Sequence, residues 1–159
     1  MKNFDIFVDG SHLKPSGRLG CGGLLVDSTT KTVIDTFKME LLPEYVKITF
    51  GADTCSNPTA EMIGVLQALY HFGPRLKGAG KVTIYSDYLG VREWNTGKWK
   101  IKEPYIQRVK DDLDDEISKL GLKGKIGFAW VKGHQGLKDI GYEGQMNNLA
   151  DKLAKGEDL

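Results

Sequence analysis

Residues 3–9 alternate Phe4, Ile6 and Val8 with Asp5, Phe7 and Asp9. Because Phe7 is apolar as well, the segment reads as a central strand covered on both faces. Residues 10–20 are polar and contain Gly and Pro, which predicts a loop. Residues 21–26 and 32–40 predict two further strands, and Asp27-Ser28-Thr29-Thr30 between them predicts a hairpin turn. Three antiparallel strands in a meander follow. Residues 41–57 are less patterned, and residues 45–50 read either as an extension of the third strand or as loop. Asn57 and Pro58 then open a helix as N-cap and first helical residue. Met62, Val65, Leu66, Leu69 and Phe72 form its buried stripe, and Gly73-Pro74 is expected to close it.

Residues 81–86 predict a fourth strand, and residues 88–94 a short helix ended by Asn95-Thr96-Gly97. Pro104 starts a longer helix with the stripe Ile106, Val109, Leu113, Ile117 and Leu120, closed by Gly121. Residues 126–131 predict a fifth strand. A Gly-rich loop over 133–144 leads to a last helix with Met146, Leu149, Ala150 and Leu153 facing inward. The order βββαβααβα puts strand, helix, strand late in the chain, which implies parallel pairing through right-handed crossovers. The expected fold is α/β: a five-stranded mixed sheet, three antiparallel plus two parallel strands, flanked by helices.

Composition narrows the class. The chain has 159 residues, 40% hydrophobic and 27% charged, which suits one globular domain over residues 1–159. The net charge of +1 neither announces nor excludes a nucleic-acid partner. Cys21 and Cys55 cannot make a disulfide framework, and buried thiols in a reducing compartment are the expectation. No zinc-type Cys/His spacing occurs. Asp5 and Asp9 interrupt the first apolar run, so it is not a signal peptide, and no apolar run approaches the roughly 18 residues of a membrane span. These features predict a cytoplasmic location and no membrane partner. With no apolar stripe left unassigned, a monomer without an obligate protein partner is expected.

The chemistry lies in the carboxylates. With 21 Asp and Glu, a single one carries no signal. Asp9 and Asp87, however, each end an apolar strand, and sites in such sheets form outside the carboxyl ends of parallel strands. The first and fourth strands are the natural neighbours where meander meets parallel pair. Glu61 is expected in the first turn of the helix opened by Pro58 and flanks the face against the sheet. Asp151 lies in the last helix, one turn after Asn147. Carboxylates brought together repel one another unless a cation neutralises them. Oxygen-only ligands suit Mg²⁺ or Mn²⁺ rather than zinc, and two such ions about 4 Å apart can clamp both oxygens of a phosphodiester displacement.

Five segments, FVDGS at 7–11, NPTAE at 57–61, YSD at 85–87, VKGH at 131–134 and NNLAD at 147–151, occur in this order. Together they resemble type 1 ribonuclease H over nearly the whole chain. The resemblance implies an RNase H-like fold and an endonuclease that cuts the RNA strand of an RNA/DNA hybrid with two Mg²⁺ ions, Mn²⁺ substituting. It implies that Asp9 bridges both ions, Glu61 and Asp87 complete one metal site, and Asp151 completes the other. It implies that His134 assists proton transfer or product departure, which an imidazole titrating near neutrality suits. Gly10, Ser11, Ser56, Asn57 and Asn147 are implied as substrate-binding positions.

The chain departs from the family pattern in three places. The loop between His134 and Asp151 is extended through residues 137–144, and residues 41–57 are longer than expected. After Asp87 a long basic protrusion is replaced by Arg92, Trp94, Lys98, Trp99, Lys100 and Lys102, a set that can pair with phosphates and stack on bases or pack beneath a helix. The acidic run over 111–116 is expected to be a solvated helix face. Two other readings stay open: a nuclease of this fold acting on DNA junctions or single strands, and a non-catalytic nucleic-acid-binding domain, for which a missing carboxylate would be the sign.

Overall fold

The computed structural model describes residues 1–12, 18–53, 56–133 and 140–159, and the side chain of His12 lies outside that description. The expectations for Cys55 and His134 fall outside the described residues. Five strands, β1 (Phe4–His12), β2 (Leu19–Asp27), β3 (Thr32–Leu41), β4 (Val82–Ser86) and β5 (Ile126–Trp130), form one sheet in the order β3-β2-β1-β4-β5. β1–β2 and β2–β3 are antiparallel, whereas β1–β4 and β4–β5 are parallel. The mixed sheet expected from the sequence is present, with β1 at its centre.

Both faces of β1 are covered. Ile6 and Val8 belong to the main core beneath helix α2 (Asn57–Leu76), together with Met62, Val65, Leu66, Leu69 and Phe72. Phe7 faces the other way, into a smaller cluster with Leu24, Val26, Ala150 and Leu153. There it stacks on Tyr85 at 4.5 Å and meets Tyr142 edge-on at 5.5 Å. This second cluster seats α5 (Tyr142–Ala154) on the sheet. Helices α3 (Leu89–Asn95) and α4 (Pro104–Lys119) complete the main layer. The acidic run of α4 is largely exposed, as expected, and makes i,i+4 pairs such as Lys110–Asp114. No described helix is long and apolar enough to cross a membrane.

The structure corrects several local readings. Residues 45–50 are neither strand nor loop; they belong to helix α1 (Pro43–Phe50), so the order gains one helix. The alternation of Val46, Ile48 and Phe50 imitates a strand. Yet only Val46 and Phe50, four apart, are buried, while Ile48 is 83% exposed. Pro43 starts this helix, and Gly51 ends it at φ 78°, a left-handed conformation that glycine adopts without strain. The loop expected from residue 10 begins later, because Gly10, Ser11 and His12 pair with Cys21, Gly20 and Leu19. Ladder hydrogen bonds are made by backbone, so polar composition did not exclude the strand. Helix α2 is capped by Ser56, not Asn57: the Ser56 Oγ accepts from the Thr59 N–H at 3.4 Å. It runs past Gly73-Pro74 to the buried Leu76, and α5 begins at Tyr142, before Gly144.

Replacing Phe7 by Ala should remove the centre of the cluster that seats α5. A loss of about 3–5 kcal/mol is expected, read as a lower denaturant midpoint with an unchanged slope.

Candidate active site

The register of the sheet assembles the site. Phe7 lies opposite Tyr85 on β4. Asp9 and Asp87, each two residues further along neighbouring parallel chains, therefore emerge at the same level. Glu61 joins them from α2, in its second turn rather than its first, since the helix begins at Asn57. Carboxylate oxygens of Asp9, Glu61 and Asp87 all lie within 4.8 Å of one another. Asp9 and Glu61 are buried.

This proximity depends on Gly10. A Cβ there would come within 2.6 Å of the Ala60 carbonyl carbon and 2.7 Å of the Glu61 nitrogen. Only glycine lets β1 touch the backbone of α2 where the two ligand-bearing segments meet. The Gly10 N–H donates to Asp9 Oδ1 at 3.0 Å and also helps to hold Glu61.

Neighbouring polar groups fix the other carboxylates. Ser86 Oγ donates to Glu61 Oε2 at 3.3 Å and accepts the Tyr88 N–H at 3.2 Å. The Trp130 indole N–H donates to the Asp87 carbonyl at 3.0 Å. Asn147, 1% exposed, donates its amide to Asp87 Oδ2 at 3.4 Å, while its own Oδ1 is buried without a hydrogen-bond partner. Asn147 therefore meets a carboxylate rather than solvent. Gly133 sits against Asp87, where a Cβ would lie 2.8 Å from Oδ2.

Asp151 lines the same open cavity as Asp9, Gly10, Ser11, Asn57, Glu61 and Asp87. Its carboxyl hydrogen-bonds that of Asp9, and its Oδ2 pairs with Lys155 Nζ at 2.9 Å. Ser56 lies one step away, in an adjoining cleft with Trp94 and Tyr105 that shares Pro58 and Tyr88 with the carboxylate cavity. Trp94 packs against Tyr88 and Trp99, and Lys98, Trp99, Lys100 and Lys102 are exposed. Sequence reasoning missed Ser86, Trp130 and Lys155. Lys155 was findable from its i,i+4 spacing to Asp151. Ser86 and Trp130 carry no comparable signal, because their roles depend on which strands become neighbours.

Electrostatics show what the cluster demands. Burial first, and then the Glu61 charge and hydrogen bond and the Asp87 charge, push the Asp9 carboxyl far above its ordinary value. Burial likewise raises Glu61, although hydrogen bonds from Asp9, Gly10 and Ser86 oppose the shift. Without a cation the cluster is stable only by holding protons. Hard oxygen donors crowded in this way fit a divalent metal such as Mg²⁺.

The pH dependence follows from the direction of these shifts. Above pH 4 an unfolded Asp9 has released its proton while the folded one retains it, so rising pH destabilises the metal-free fold. In chelator, stability should fall as pH rises from 5 to 8, by up to about 1.4 kcal/mol per unit for each proton held. Asp9→Asn should flatten that slope and raise the melting temperature at pH 7.

Comparison with known proteins gives a consistent result. The family model described as RNase H matches residues 1–158. Ribonuclease HI of Haemophilus ducreyi is 30% identical over 98% of this chain and 90% of its own length. Ribonuclease H of Cupriavidus pinatubonensis is 32% identical over 86% of each. Among solved structures, the N-terminal RNase H domain of a Mycobacterium tuberculosis protein superposes with a TM-score of 0.71 at 21% identity, covering 98% of this chain and 93% of that one. LC11-RNase H1, in complex with an RNA/DNA hybrid, superposes with a TM-score of 0.65 at 17% identity, covering 97% and 95%.

Proposed function

The chain belongs to the ribonuclease H family, and on that premise we propose that it hydrolyses the RNA strand of RNA/DNA hybrids with two bound Mg²⁺ ions. The observation that carries this reading is the convergence of Asp9, Glu61 and Asp87 within 4.8 Å just beyond the last parallel pair of β1 and β4. Asp151 completes the acidic set on the same cavity. A non-catalytic domain would have no reason to retain four such carboxylates against their repulsion.

In this reading Asp9, Glu61 and Asp87 would hold one ion, and Asp9 with Asp151 the other, with Mn²⁺ able to substitute. When bound, the ions supply an activated water and stabilise charge on the leaving oxygen. The chain's own groups position and neutralise. Ser86 orients Glu61, Asn147 and Trp130 orient Asp87, and Lys155 balances the Asp151 charge. Gly10, Ser11 and Asn57 line the cavity where the scissile strand would lie. Selection for RNA rests on the 2′-hydroxyl and the shape of the helix. His134 is assigned proton transfer or product departure. The adjoining cleft under Trp94, with Lys98 and Lys100 nearby in sequence, would follow the partner strand.

The test is cleavage of a labelled RNA/DNA hybrid in Mg²⁺, with double-stranded RNA and double-stranded DNA as competitors. The hybrid should be cut preferentially, and Asp9→Asn should lower the rate by at least about 100-fold, since even partners of metal ligands cost 10–100-fold. Cleavage of DNA in preference to hybrid would assign the chain to another nuclease activity, and no cleavage at all would overturn the enzymatic reading.

A further inference from the structure

The end of the sheet opposite the carboxylates is built quite differently. Strands β1, β4 and β5 begin in register, Phe4 beside Val82 and Val82 beside Ile126. Lys81 and Lys125 immediately precede two of these residues, and Lys2 precedes the third by two positions. Backbone hydrogen bonds tie the three lysines together. The Phe4 N–H donates to the Lys81 carbonyl at 2.9 Å, the Val82 N–H to that of Lys125 at 2.9 Å, and the Gly80 N–H to that of Lys2 at 2.8 Å. Lys77 and Lys123 lie on the same two connections. Lys2, Lys77, Lys81 and Lys123 are exposed and Lys125 is half-buried.

The segments 1–4, 76–82 and 120–126 contain no Asp or Glu. Asp27 approaches Lys2 only to 3.9 Å, and Asp5, the next acid along β1, is buried and accepts the Tyr142 hydroxyl at 2.8 Å. Elsewhere the surface lysines Lys110, Lys119 and Lys155 pair with an Asp four residues earlier or later. The C-terminal dipole of α2 accounts for Lys77, which caps it. It does not account for Lys2, Lys81 and Lys125 at strand starts.

We propose that this lysine rim is a second nucleic-acid contact surface, one that holds the phosphate backbone of a duplex at the end of the molecule remote from the carboxylates. The choice of partner rests on the reading of the chain as a nucleic-acid enzyme. Lysine is a point charge that suits phosphate without demanding a fixed geometry. The three segments offer no exposed aromatic ring on which an unpaired base could stack: Phe4, their one aromatic residue, is buried. The surface is therefore suited to duplex backbone rather than single strand, and blind to sequence. It would keep the protein on long nucleic acid between encounters of the active site with a hybrid segment.

The test measures binding of an uncut DNA duplex by fluorescence anisotropy over a series of salt concentrations. It compares the full chain with the triple variant Lys81→Glu, Lys123→Glu, Lys125→Glu and with its Gln counterpart. The Glu variant should bind at least about 10-fold more weakly, and its salt slope should flatten by about two to three, one for each phosphate no longer neutralised. The Gln variant should fall between, and kcat on a short hybrid should be unchanged. Unaltered affinity and slope, or failure of the unmodified chain to bind duplex, would overturn the proposal. So would a variant that loses binding only to vesicles of anionic lipid. Failure of hybrid cleavage would count against the enzymatic reading and leave the binding comparison to be judged by itself.

Discussion

Mutual repulsion among buried carboxylates is the constraint around which the molecule is organised. Asp9, on the central strand just past its last pairing with β4, shares a partly desolvated space with Glu61 and Asp87, and burial together with these neighbours drives its carboxyl toward the protonated form. Such an arrangement is unfavourable in itself, so the surrounding structure has to enforce it. The backbone contact between Gly10 and Ala60 sets the distance from β1 to α2. Hydrogen bonds from Ser86, Asn147 and the Trp130 indole hold the remaining ligands from three separate elements. A fold that covers both faces of β1 supplies the rigidity, and the aromatic stack of Phe7, Tyr85 and Tyr142 anchors the helix that bears Asn147 and Asp151.

The same strands separate charge along their length. Carboxylates gather just past the last parallel pair of β1 and β4, and lysines gather where β1, β4 and β5 begin. A net charge of +1 conceals this polarity, because 22 basic and 21 acidic side chains cancel in the sum wherever they stand on the fold. Whole-chain charge speaks to solubility and to the average field; it does not report opposite ends of one sheet.

The parts of the fold set by local pattern were legible in the sequence. Period-two alternation marked β1 and β4, the hairpin turn at 27–30 marked β2 and β3, and the stripes of α2 and α4 marked their buried faces. Pairing β1 with β4 followed from the general rule for sheets of this kind, and with it came the expectation that Asp9 and Asp87 would meet. Errors arose where tertiary contacts overrode composition. Helix α1 carries a strand-like run whose meaning depends on the burial of Val46 and Phe50. Gly10 and Ser11 look like loop until β2 supplies their ladder partners. Asn57 and Ser56 are equally good caps by statistics, and only the folded geometry shows that the Ser56 hydroxyl is the one aimed at the Thr59 N–H. The hydrogen bond from Asn147 to Asp87, which contradicts no reading of the sequence, became visible only in three dimensions.

Carboxylates crowded in this way should release protons when a divalent cation takes their place. Calorimetric titration of the metal-free chain with Mg²⁺ at pH 7, in two buffers of different ionisation enthalpy, tests it most directly. The account predicts binding accompanied by net release of protons, a release that Asp9→Asn diminishes. Mg²⁺ binding with no proton release, or no binding at all, would contradict it.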